Sequence, residues 1–62
     1  MSDITLHKAA EKAYQAEIVA RMLESYTHKL TDSDVEAVAS LLANLTGSVA
    51  SYLIEEESKN KA

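Results

Sequence analysis

Apolar residues recur at steps of three and four through most of this chain, on both sides of a short acid-rich break at Thr31-Asp32-Ser33-Asp34. Before the break the series runs Leu6, Ala9, Ala13, Ala16, Ala20, Leu23, Thr27, Leu30, a heptad seam that Val19, Met22 and Tyr26 widen on one side. After it come Val35, Val38, Leu42, Leu45, Val49, Tyr52 and Leu53, flanked by Ala39, Ala43 and Ala50 on one side and by Leu41 on the other. A period near 3.6 residues keeps every member of a series on one side of an α-helix, whereas a strand changes face at each residue. The expected fold is therefore all-α. Helix 1 should run from about 4 to 29, a turn occupy 30–31, and helix 2 run from about 32 to 57, with a frayed tail over 58–62. So short a turn makes the two helices antiparallel neighbours in one helical-hairpin domain over residues 1–62.

The break has the chemistry of a helix start. Thr31 can cap helix 2 by accepting, through its hydroxyl, from the backbone N–H of Asp34. Leu30 and Val35 have the spacing of a hydrophobic staple, and Ser33 with Glu36 offers a second, slightly later capping box. Asp32, Asp34 and Glu36 place negative charge where the helix dipole favours it. Ser2, Asp3 or Thr5 can cap helix 1. Gly47 lies inside helix 2, and because Leu45, Val49 and Leu53 continue the spacing through it, the helix is expected to be unbroken. Glu55 with Lys59, and Glu57 with Lys61, are i,i+4 pairs in the favourable order.

Composition argues for helices and against self-sufficiency. There is no Pro and one Gly, so the turns of an all-β domain have almost nothing to be built from. At 62 residues, without Cys, the hairpin has no disulfide or thiolate metal site to reinforce a small core. The apolar arc of helix 2 spans roughly 200°, wider than one neighbour can cover. Two hairpins are thus expected to pair into a four-helix bundle, a homodimer with its core drawn from Leu6, Ala9, Ala13, Ala16, Ala20, Leu23, Leu30, Val35, Val38, Leu42, Leu45, Val49, Tyr52 and Leu53. The sequence leaves open whether the two copies lie parallel or antiparallel.

The formal charge is −4, all of it from residues 31–62, since four bases balance four acids over residues 1–30. That sign disfavours a broad phosphate-binding or membrane surface. The N-terminus has no basic-then-apolar signal pattern, and uninterrupted apolar runs stop at three residues. A cytoplasmic location is the expectation.

No constellation for catalysis is visible. His7 and His28 are 21 residues apart on one expected helix, roughly 31 Å at 1.5 Å per residue, and no carboxylate falls within the seams. Phosphate loops and the H-E-x-x-H motif are absent. His7 with Glu11, and Glu24 with His28, could meet across two antiparallel copies as a zinc site, but ordinary surface pairs explain them as well. Lys8 and Lys12 as a phosphate contact, and Asp32, Asp34 and Glu36 as calcium ligands, likewise yield to a solvated face and helix capping. The expectation is no enzyme, no cofactor and no metal. The remaining feature is the outer stripe of helix 1, His7, Tyr14, Ile18, Arg21 and His28, whose Tyr, Arg and Ile are residue types that anchor interfaces.

With Leu30, Asp32, Asp34 and Leu53 in matching register and alanine-rich layers in the first seam, the layout resembles that of the Rop family of plasmid copy-number regulators. The resemblance implies a dimeric antiparallel four-helix bundle and an RNA-binding face on helix 1. Such a face would need more positive charge than Lys8, Arg21 and Lys29 supply. The sequence therefore favours a small non-enzymatic regulatory or adaptor protein that pairs with itself and binds another protein through exposed helix surface. A Rop-like RNA-binding regulator and a structural subunit of a larger complex are the alternatives.

Overall fold

A computed structural model of the chain describes residues 4–60. It contains two α-helices, α1 (Leu6–Ser25) and α2 (Asp32–Asn60), joined by residues 26–31 into an all-helical hairpin. The molecule is a rod of 49 × 18 × 16 Å, close to the ~43 Å that 29 helical residues span by themselves.

Each helix begins on a threonine. Thr5 caps α1: its hydroxyl accepts from the Lys8 N–H at 3.1 Å, and its carbonyl takes the first helical bond from Ala9 at 2.9 Å. Ser2 and Asp3, the other two caps considered, lie outside the described residues. Thr31 caps α2 as the sequence indicates, its hydroxyl accepting from the Asp34 N–H at 3.0 Å. Asp34 returns the bond, its carboxylate accepting from the Thr31 N–H at 3.1 Å, so the capping box closes here rather than on Ser33 and Glu36.

Helix α1 is shorter than its apolar spacing suggests. It stops at Ser25, not near 29, and Tyr26 turns extended (φ −71°, ψ 125°) with its N–H donating to the Leu23 carbonyl at 3.2 Å. Tyr26, Thr27 and His28 are aromatic, β-branched and imidazole side chains, all of modest helix propensity. Leaving the helix here also lets Leu30 come in beside Leu23 and Val38. The connection is therefore six residues, not two. At the other end α2 runs past the expected limit at 57 to Asn60, helped by Lys59, which holds Glu56 at 3.2 Å. The hydrogen bond of Lys59 is to Glu56, with the charge of Glu55, its anticipated i,i+4 partner, also acting on it, and Lys61 lies outside the described residues. Gly47 sits inside unbroken α-helix, as its flanking spacing requires.

The hairpin shelters little. Only Ala9 (4% exposed) and Leu45 (8%) are buried among the described residues. The stripe of α1 turned toward α2 is Ala9, Lys12, Ala16, Val19 and Leu23, and that of α2 is Val38, Leu42, Leu45, Val49 and Tyr52. Half of the anticipated first seam is thus in contact, while Leu6, Ala13, Ala20 and Thr27 face solvent, as do Val35 and Leu53 of the second. Lys12, unforeseen, is half-buried on the contact side, a position a lysine tolerates because its long stem can cover apolar surface while its charge stays in water.

Candidate functional site: two uncovered apolar faces

The residues left outside the hairpin contact fall into two groups. In antiparallel helices, a step from the packed stripe of α1 toward Leu6, Ala13 and Ala20 turns to the same side as a step on α2 toward Val35, Ala39, Thr46 and Leu53. These residues share one long face. It is mainly apolar, with Leu6 68% and Leu53 56% exposed. Thr46 is its polar member, and its hydroxyl donates to the Leu42 carbonyl at 2.7 Å, leaving the methyl group to present outward.

The opposite side is apolar only near the turn. There Val19, Met22, Leu23 and Tyr26 face Leu30, Ala37, Val38 and Leu41 across a groove of about 420 Å³, with Asp34 at its edge. Helical spacing extends this patch up α1. Tyr14, Ile18 and Met22 stand at i, i+4 and i+8, one ridge of exposed apolar side chains ending at the groove. Further toward the open end the same side carries Gln15, Asn44 and Ser48, so the patch stops there.

The expected contact stripe is partly kept. His7, Tyr14, Ile18 and Arg21 are all exposed on α1, and Arg21 is held by Glu17 at 2.9 Å. His28 is not on the stripe, because the helix has ended three residues earlier. It sits in the connection with its ring 5.6 Å from that of Tyr26, edge to face. The loss of helix at His28 also removes the i,i+4 relation with Glu24 on which a zinc site between two copies depended. Among the described residues no three His, Asp or Glu side chains gather as a metal-holding group. Lys8 and Lys12 do not act together either: Lys8 binds Glu11 at 3.2 Å, and Lys12 lies along the contact stripe.

Two groups at the ends of α2 have shifted protonation equilibria. The Asp34 carboxyl is held below its ordinary value by the hydrogen bonds from the Thr31 backbone and hydroxyl. The Lys59 ammonium is raised, first by its hydrogen bond to Glu56 and then by the charge of that carboxylate. Both groups are exposed, and each shift is explained by a helix-end hydrogen bond, Asp34 standing at the rim of the groove with its carboxylate engaged by Thr31.

Residues 37–54 carry no charged side chain, and α2 is long and apolar enough to cross a membrane by length and composition alone. Counting uninterrupted apolar runs missed this, because single Ser, Asn, Thr and Gly residues break the runs without adding charge. The central helix of a bundle has the same signature.

No family model matches this chain, and neither a curated protein nor a solved structure matches it. The likeness to Rop is accordingly one of layout.

Proposed function

We propose that this chain is a small non-enzymatic regulatory or adaptor protein, which pairs with a second copy of itself and holds another protein on the helix surface left over. The observation that carries the reading is surface area. The chain exposes 5074 Å², whereas a compact monomer of 6.8 kDa exposes about 4,000 Å². The excess of roughly 1,100 Å² is on the scale of one partner's share of a standard protein interface, about 800 Å².

The long face with Leu6, Val35 and Leu53 suits a second copy, and the Tyr14–Ile18–Met22 ridge with its groove suits an amphipathic segment of another protein. An apolar ridge running into an apolar trough is what a helix presenting i and i+4 anchors requires. Two features weigh against RNA: Lys8 and Arg21 are each engaged by a glutamate, and the net charge is −4. Insertion in a bilayer is disfavoured by α1, which brings Lys8, Glu11, Lys12, Glu17, Arg21 and Glu24 alongside the apolar helix. A cytoplasmic site of action fits these properties.

The test is in two parts. The thermal midpoint, measured over a hundredfold range of protein concentration, should rise with concentration; a constant midpoint would remove the pairing. Affinity capture should return a specific protein whether or not nuclease is added. Capture of RNA with steep salt dependence would favour the Rop-like alternative instead.

A further inference from the structure

We propose that the second copy lays its α2 antiparallel against this α2, about a two-fold axis passing at Thr46. The inference rests on the self-pairing reading above and adds the face, the direction and the register.

Of the two helices, α2 belongs at the centre of the pairing. Residues 37–54 are uncharged, whereas α1 sets Glu17, Arg21 and Glu24 beside Ala13 and Ala20, which places it at a wet edge. Thr46 is the midpoint of Asp32–Asn60, so an axis there gives the longest overlap of α2 with itself. It is also the one hydroxyl on the face, and its bond to the Leu42 carbonyl means that covering it leaves no donor unsatisfied.

An antiparallel pair about position 46 sets each residue 46 − n opposite 46 + n of the other copy. On the exposed face this matches sizes. Ala39 stands opposite Leu53 of the second copy, and at the inner edge of the face the half-buried Leu42, which also packs on α1, stands opposite Ala50. Each leucine meets an alanine, twice over by symmetry, the self-complementarity that a two-fold interface demands. Parallel packing in register would set leucine on leucine and alanine on alanine. It would also lay the acidic first turns, with Asp32 and Asp34, side by side. The antiparallel arrangement instead sets the two acidic first turns at opposite ends of the pair and opposes the helix dipoles. The groove lined by Met22 and Leu41 is on the other side and stays open.

The test is a size swap on the exposed pair, which does not touch the contact within the hairpin. By sedimentation equilibrium, Ala39→Leu should weaken self-association about tenfold by overpacking, and Leu53→Ala about tenfold by leaving a hole. The double variant should return to within about threefold of the unmodified chain, because the swap merely exchanges which member is large. Circular dichroism at matched concentrations guards against simple unfolding. The sequence lacks Cys, so Thr46→Cys gives one thiol per chain, and it should form a disulfide-linked pair on mild oxidation, while Met22→Cys should not. A dimeric unmodified chain with additive swap variants, or with faster linkage through Met22→Cys, overturns the register and leaves self-pairing standing. A monomer at tens of micromolar overturns both and gives the face to a different protein.

Discussion

Thr31 and Asp34 hold each other across the first turn of α2, with the Asp34 N–H donating to the Thr31 hydroxyl and the Thr31 N–H donating to the Asp34 carboxylate. Because the hydrogen bonds favour the ionised carboxylate, its folded pKa lies below 3.8, the value of an unperturbed aspartate. The stabilisation is therefore present above that unperturbed value and is lost as pH falls through the lowered one. Helicity followed by circular dichroism through this acid range should fall less steeply in Asp34→Asn than in the unmodified chain. Thr31→Ala, read at neutral pH, should cost about 1 kcal/mol in urea unfolding.

Gly47 presents an opportunity for stabilisation. It lies within α2, and a Cβ built there meets nothing within 4 Å. Gly47→Ala should thus stabilise by up to about 1 kcal/mol through helix propensity. Thermal melts at one fixed protein concentration check it, and a lowered midpoint would mean that a neighbour not within this chain needs the space.

Leu45 is the most sheltered large side chain. Leu45→Ala should cost roughly 2–5 kcal/mol, a large share of what so small a domain can hold. Unfolding and dissociation should be lost as one event, seen when circular dichroism and light scattering change over the same denaturant range.

Tyr14 and Arg21 are exposed on α1, away from both the hairpin contact and the long face. Changing both to Ala should abolish capture of the partner protein and leave self-association within about twofold. The Glu17–Arg21 bond is a surface pair, worth at most about 1 kcal/mol, so stability should hardly move.

The start of α2 was legible because caps are local chemistry, whereas that of α1 was narrowed only to Ser2, Asp3 or Thr5. Thr31 three residues before Asp34 specifies its own hydrogen bonds, and the spacing through Gly47 outvotes one glycine. The end of α1 was not legible, because Thr27 and Leu30 keep the apolar period running after the backbone has left the helix. Nor was the phase of contact. A wide apolar arc states that Leu6, Ala13 and Ala20 are apolar, and only the hairpin geometry decides that Lys12 and Val19 meet α2 while those three do not. The groove depends on both of these and so had no signature beyond Val19, Met22 and Tyr26 standing beside the seam. On the expected contact stripe, His7, Tyr14, Ile18 and Arg21 are at the surface of α1, and His28 is displaced with the end of its helix.

The three tyrosines are spread over three regions: Tyr14 on the outer ridge, Tyr26 in the groove, and Tyr52 half-buried between the helices. With no tryptophan or phenylalanine in the chain, their ring resonances share the aromatic spectrum only with the two histidines. Ligand capture, groove filling and opening of the hairpin would each disturb a different ring, so one nuclear magnetic resonance titration can report all three separately.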